Sequence, residues 1–94
     1  MPEPQFERFV FDDDNEEKFE QHGITARQVA FVVYGFEYQV RRNRNARSGL
    51  YLLIGRDSSG TCIAVPVAST DDPLTWRPVT AWYCKPSEAA QLDG

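Results

Sequence analysis

The chain has 94 residues, of which 41% are hydrophobic, and it carries 10 Lys+Arg against 14 Asp+Glu. This length allows one small domain, residues 1–94, with enough apolar content for a single core. The sequence has no apolar run near the roughly 18 residues that a membrane span requires. Its start, MPEPQFERF, lacks the basic and apolar segments of a secretory signal. We therefore expect a cytoplasmic protein with no membrane partner.

The first elements predicted along the chain are a short strand and two short helices. FERFVFD alternates apolar and polar residues, which predicts a strand. DDDNEEKFEQHG predicts a helix with carboxylates in its first turn, Asp13 as N-cap and Gly23 as the residue that ends it. ITARQVAFVVYG predicts a second helix, which begins with a capping box formed by Thr25 and Gln28 and ends at Gly35.

After residue 35 the pattern changes from helical to alternating. FEYQVRR, GLYLLIGR, TCIAVPVAS and WRPVTAWY predict four strands joined by short polar segments, and KPSEAAQL predicts a final short helix. Strands connected in this way typically form an antiparallel meander. We therefore expect an α+β fold in the order β-α-α-β-β-β-β-α, with the helices covering one face of the sheet.

Cys62 and Cys84 are the only cysteines of the chain. Neither belongs to a CxxC pair, so in a cytoplasmic protein we expect buried thiols rather than a disulfide. The aspartates at 12–14 lack the glycine and the distant glutamate of a calcium loop, so calcium binding is not expected.

The segment RRNRNARSG, residues 41–49, concentrates positive charge in an acidic chain. Residues 1–40 carry three cations and nine anions, whereas residues 41–94 carry seven cations and five anions. The four arginines of the segment are Arg41, Arg42, Arg44 and Arg47. Two interpretations stay open for this predicted loop: a polar hairpin tip, or a binding site for an RNA backbone or an acidic partner protein.

Three further residues are candidates for phosphodiester chemistry. His22, the only histidine, falls in the last turn of the first helix, Arg56 ends the strand GLYLLIGR, and Arg77 lies within WRPVT. Guanidinium groups bind a phosphate and stabilise developing charge, and an imidazole can transfer a proton. The alternative is a histidine that caps its helix and two arginines that face water.

The sequence resembles the BrnT-like toxins of type II toxin–antitoxin systems, which have a RelE/ParE-like fold. The resemblance lies in FVFDDDNEEKFEQHGIT, LYLLIGRDSSG and WRPVTAW, in that order, and covers about residues 9–88. It implies an endoribonuclease that cleaves mRNA without a metal ion or cofactor. It also implies a small ribbon-helix-helix antitoxin as partner, in a toxin–antitoxin heterotetramer, with a homodimer of the toxin as the other possible assembly.

The resemblance also implies roles for individual residues. His22, Arg56 and Arg77 match catalytic positions, Lys18 matches as well, and in such folds the RNA 2′-hydroxyl attacks its own phosphate. Trp82 stands where many members have an arginine, and Lys85, three residues on, is the residue that could compensate for it in binding RNA. The arginine cluster has no counterpart in the family, so its proposed role in RNA binding is a feature of this chain. Because of the missing arginine and the acidic net charge, the alternative is a non-catalytic protein-interaction module on the same fold.

Overall fold

The computed structural model describes residues 4–43 and 49–93. Within these residues the chain forms three helices and six strands. In chain order they are β1 (Arg8–Phe9), α1 (Asp13–Gln21), α2 (Ala26–Gly35), β2 (Gln39–Arg42), β3 (Tyr51–Arg56), β4 (Cys62–Ser69), β5 (Thr75–Pro78), β6 (Trp82–Tyr83) and α3 (Pro86–Asp93). None of the helices in the described ranges is long and apolar enough to cross a membrane.

The strands form one open, mixed sheet. Its order is β1-β5-β4-β3-β2, and β6 pairs with β4 beyond the end of β5. The pairs β2–β3, β3–β4 and β4–β5 are antiparallel, whereas β1 joins β5 in parallel. The predicted α+β class is therefore confirmed, with one parallel pair in the sheet.

The predicted strand WRPVTAWY is two strands, because its pairing with β4 is interrupted. Residues 79–81 lie opposite only residues 65–66 of β4, so one extra residue separates β5 from β6, as in a β-bulge. Pro78 ends β5 and Pro66 lies in the facing part of β4. Neither proline has an N–H to donate to the ladder, which explains why the pairing breaks at this point.

Helices cover both faces of the sheet, so the prediction of one covered face is wrong for α3. Phe19 of α1 and Val33 of α2 are buried with Leu53 in the larger core cluster. On the other face Leu52 and Ile54 pack in a second cluster with Cys62, Trp82, Cys84 and the α3 residue Leu92. Because apolar residues occupy successive positions of β3, both of its faces must be covered.

Three of the four predicted boundaries of α1 and α2 are confirmed. The capping box of Thr25 and Gln28 is present at the start of α2, which ends at Gly35, and Gly23 follows α1 with φ of 74°. The N-cap of α1, however, is Asp12 rather than Asp13: its side chain accepts from the N–H of Asn15 at 2.9 Å. Asn15 is buried and its amide donates to the carbonyl oxygens of residues 10 and 78, which fixes the position of the cap.

The predicted strand FEYQVRR begins later than its alternating pattern indicates. Phe36 follows α2 in the left-handed conformation, with φ of 55°, and β2 begins at Gln39. Left-handed backbone is costly for a residue with a β-carbon. Tyr38, between them, packs against the larger core cluster.

Cys62 and Cys84 form a disulfide, so the expectation of unpaired thiols is wrong. Their Cα atoms are 5.4 Å apart, and the N–H of Cys84 donates to the carbonyl oxygen of Cys62 at 3.1 Å. Pairing of β6 with β4 places Tyr83 opposite Ile63 and so brings the next residue of the chain beside Cys62. The sequence pattern had merged β6 with β5 and gave no indication of this register.

Candidate functional site

The two arginines proposed as catalytic lie at opposite ends of the sheet. Arg56 is opposite Cys62 on β4, and Arg77 is opposite Ala68 on the same strand. The six-residue span of β4 between these partners is about 20 Å long at roughly 3.3 Å per residue. The structure therefore does not bring Arg56 and Arg77 together on one phosphate.

Each of the three residues proposed as catalytic makes a hydrogen bond within the protein. Arg77 donates through Nη2 to Asp12 Oδ1 at 2.9 Å, and Arg56 donates through Nη1 to the carbonyl oxygen of Gly60 at 3.2 Å. His22 is exposed and forms the C-cap of α1, where its backbone N–H donates to the carbonyl oxygen of Phe19. These contacts match the capping interpretation of the histidine, and they bind Arg77 to the N-cap of α1.

An open cavity beside α1 does combine two of the residues matched by the resemblance. Its volume is 420 Å³, and Lys18 and Arg77 both line it. Asp14 and Glu17 line the same cavity, so its two cations are balanced by two carboxylates. A phosphate would meet no excess of positive charge there.

The described part of the arginine cluster belongs to a strand rather than a loop. Arg41 and Arg42 are the last two residues of β2, an edge strand of the sheet, whereas Arg44 and Arg47 lie outside the described residues. Arg42 is exposed. Arg41 donates through Nη2 to Glu88 Oε2 at 3.3 Å, so it already has an anionic partner within the protein.

Glu88 is the centre of a polar network that the sequence did not reveal. It is only 2% exposed, and its carboxylate accepts from Arg41, from the indole Nε1 of Trp82 at 3.1 Å and from the backbone N–H of Lys85 at 2.8 Å. The Lys85 ammonium lies 5.8 Å from the centre of the Trp82 ring, within reach of a cation–π contact. The carboxylate of Glu88 thus anchors α3 to the sheet through three residues that the sequence analysis discussed: Arg41, Trp82 and Lys85. Glu88 stands three residues after Lys85 at a helix start, the position from which a glutamate reaches back to the N-cap N–H, but Lys85 lacks the side-chain acceptor that completes a capping box.

A second buried carboxylate links α2 to the β3–β4 hairpin. Asp57 accepts from Gln28 Nε2 at 3.0 Å, from the hydroxyl and N–H of Ser59, and from the N–H of Thr61. The hydrogen bond from Gln28, followed by that from the Ser59 side chain, lowers the pKa of Asp57 to about 2. An aspartate at the start of the turn DSSG is a typical acceptor for such turn N–H groups. The network is therefore structural.

Large apolar side chains remain exposed near the end of α2 and along the β2 edge. The set comprises Phe31, Tyr34, Phe36, Val40 and Leu50, of which Phe31 and Phe36 are each 54% exposed.

Among known proteins no family model matches the chain, and no curated protein matches it. The arrangement of these residues, together with the basic residues of β2, is therefore the basis for a functional assignment.

Proposed function

We propose that this chain is a non-catalytic protein-interaction module on a BrnT-like, RelE/ParE-related α+β fold, and that it acts in the cytoplasm. The observation that supports this most directly is the separation of Arg56 from Arg77 by about 20 Å of β4. Groups that act on one phosphodiester must each reach it within hydrogen-bonding distance, about 3 Å. Two arginines at opposite ends of a strand do not meet that condition.

Exposed apolar and basic side chains support the binding role. Phe36 follows α2 and lies against Tyr34 and Tyr38, with ring centroids 6.5 and 6.3 Å apart, and neighbouring exposed apolar side chains mark interaction surfaces more often than isolated ones do. On β2, exposed Arg42 adds positive charge two residues from Val40. An acidic partner protein fits this combination better than a basic one, because it gains attraction from Arg42 and buries the apolar groups.

The second candidate function is the metal-independent endoribonuclease implied by the resemblance. It is favoured by the cavity in which Lys18 and Arg77, both at matched positions, lie together, and it requires RNA to bind there although Asp14 and Glu17 balance their charge. In that case the RNA 2′-hydroxyl loses its proton to water and attacks the adjacent phosphate, while these two cations stabilise the developing charge. The bond from phosphorus to the 5′-oxygen of the next nucleotide breaks, which leaves a 2′,3′-cyclic phosphate and a 5′-hydroxyl that takes up a proton. The arginine cluster and Lys85 would bind the RNA backbone, and a ribbon-helix-helix antitoxin would neutralise the protein, in a heterotetramer or with a toxin homodimer.

Induced expression of the chain alone in a bacterial host separates the two functions. For the interaction module we expect normal growth and intact mRNA while folded protein accumulates. Growth arrest with fragmented mRNA would overturn this proposal in favour of the nuclease.

The nuclease also has a matched pair of variants. Arg77→Ala should restore growth because it removes a cation from the cavity beside α1, whereas Arg56→Ala, at the other end of β4, should leave the arrest unchanged. Soluble yield and circular dichroism of both variants show that they fold. Rescue by Arg56→Ala instead would place the chemistry at the hairpin end of the sheet.

A further inference from the structure

We propose that the open edge of β2 binds an extended acidic segment of the partner protein, which adds to the sheet as a further strand. The inference rests on the proposed function, since it takes the ligand to be a protein. It identifies the surface, the binding mode and the chemistry of the partner segment. Strand addition of this kind draws affinity from backbone hydrogen bonds and specificity from alternate side chains.

The outer strands of the path β1-β5-β4-β3-β2 differ in whether their outward backbone groups are satisfied. At the β1 edge, the N–H of Phe9 donates to the hydroxyl oxygen of Tyr34 at 3.1 Å, and that hydroxyl donates to the carbonyl oxygen of Phe9 at 3.2 Å. The Tyr34 hydroxyl therefore hydrogen-bonds to both backbone groups of Phe9 with which an added strand would pair. β1 is also only two residues long. This edge is protected against strand addition.

The β2 edge has no such protection among the described residues. The N–H of Asn43 donates to the carbonyl oxygen of Leu50 at 3.0 Å, which sets the hydrogen-bonding phase of the β2–β3 ladder. Alternate residues of an antiparallel pair hydrogen-bond to the partner strand, so Arg41 bonds toward β3, while the backbone groups of Val40 and Arg42 point away from it. In the described ranges no strand pairs with that outer side of β2.

Side chains along this edge specify the partner segment. Val40 and Arg42 project from the same face of β2, because side chains alternate along a strand. Next to Val40 is an open cavity of 380 Å³, lined also by Pro4, Phe6 and Tyr38. An added strand would place an apolar side chain in this cavity and, two residues along on the same face, a carboxylate beside Arg42.

Charge argues against a second copy of this chain as the occupant. Pairing of two β2 edges would bring Arg41 and Arg42 of one copy close to those of the other, and like charges on neighbouring strands are destabilising. The sequence adds Arg44 and Arg47 directly after the strand. A segment with carboxylates has the opposite effect, so a heterologous acidic partner is favoured.

Binding of a synthetic peptide to the full chain tests the inference. The probe is a short capped peptide in which valine and glutamate alternate on one face and threonine occupies the other, with binding followed by NMR of the backbone amides. We expect the largest shifts at β2. Val40→Pro removes an outward N–H, leaves the hydrogen bonds to β3 in place and keeps an apolar side chain beside the cavity, and it should weaken binding about tenfold. Arg42→Glu should weaken it about fivefold, whereas Arg27→Glu, the matched charge change on α2, should leave it within about twofold.

Several outcomes would overturn the inference. The first is that the peptide does not bind. The second is that the peptide binds Val40→Pro and Arg42→Glu as tightly as it binds the wild type. The third is that the β2 edge binds a single-stranded RNA more tightly than the peptide. Circular dichroism verifies the fold of Val40→Pro, and Arg42→Glu gives a second measurement without any backbone change. A partner protein that co-purifies with the wild type and with both variants alike would leave the proposed function standing and place its interface elsewhere.

Discussion

Arg41 and Arg42 are neighbours in sequence, but the structure gives them different environments. The alternation of β2 directs Arg41 toward α3, where it meets Glu88, and directs Arg42 to the opposite face. The sequence presents both as members of one basic cluster. Their separation depends on which face α3 covers, which is a long-range property of the fold.

Replacement of Arg41 is therefore predicted to affect stability, and replacement of Arg42 is not. Arg41→Ala leaves the buried Glu88 carboxylate without its ionic partner, although Trp82 and the backbone of Lys85 still donate to it. The Arg41 side chain is 40% exposed, so we expect a loss of only about 1 to 2 kcal/mol in the free energy of unfolding. Arg42→Ala should change it by less than about 0.5 kcal/mol. Urea unfolding measures both values, and equal effects would contradict the assignment of the ion pair.

For individual residues, the sequence predicted features set by near neighbours and missed features set by contacts between distant parts of the chain. Thr25 and Gln28 were identified as a capping box because both partners lie within one helical turn. The burial of Glu88 was missed because it requires Arg41, 47 residues away, to reach the same point. For the residues proposed as catalytic, the sequence predicted the element on which each one lies. It did not predict the distance between Arg56 and Arg77, because neither residue spacing nor apolar pattern determines how strands pair.

Among the elements, the start of α2 and the β3–β4 hairpin are joined through one side chain. Gln28 accepts from the N–H of Thr25 through Oε1 and donates to Asp57 through Nε2. The cap of a helix and the turn of a hairpin thus share a residue, and Asp57 in turn holds the N–H groups of Ser59 and Thr61. The sequence predicted the cap and the turn separately, but their contact depends on how α2 packs on the sheet.

This link predicts a specific dependence of stability on pH. The pKa of Asp57 is about 2 in the folded protein, against 3.8 without these contacts. A carboxyl group with a lowered folded pKa stabilises the fold above its unfolded value, and this contribution is lost as the pH falls from about 4 to about 2. Gln28→Ala should raise the pKa of Asp57, because the Gln28 hydrogen bond is the largest cause of the shift. NMR titration of the Asp57 carboxyl measures this change directly.

Thr25→Ala is the control for that titration. It removes the side chain that caps α2 and should cost about 1 kcal/mol of stability, yet it leaves the Gln28–Asp57 hydrogen bond in place. The pKa of Asp57 should therefore stay near 2 in Thr25→Ala. A rise as large as that in Gln28→Ala would mean that the position of the whole helix, rather than one hydrogen bond, sets the pKa.

Among the described residues, acidic side chains gather at the start of α1, whereas two arginines end β2. The acidic first turn of α1 begins at Asp12, which contacts Arg77 on β5, whereas Arg41 and Arg42 lie on β2. Three strand spacings separate β5 from β2, about 14 Å at roughly 4.8 Å each. An acidic partner would be attracted to the β2 side and repelled from the α1 side, which favours one orientation of approach.

The disulfide adds a covalent link at the point where β6 pairs with β4. It links the first residue of β4 to the segment between β6 and α3, and the cysteines are 22 residues apart in sequence. The proposed cytoplasmic location has a consequence for this bond, because cytosolic thiols are normally kept reduced. Both the oxidised and the reduced forms of the protein are therefore relevant to its stability.

Reduction of the Cys62–Cys84 disulfide is predicted to destabilise the protein without unfolding it. Closing a loop of this length restricts the unfolded chain by about 3 kcal/mol, a large part of the 5 to 15 kcal/mol typical of a small domain. The Glu88 network still holds α3 after reduction, so the circular dichroism spectrum should remain that of the folded protein. Urea unfolding with and without dithiothreitol measures the difference, and the double variant Cys62→Ala/Cys84→Ala should match the reduced protein and show no response to the reductant. Equal stability of the oxidised and reduced wild type would mean that the bond does not constrain the chain.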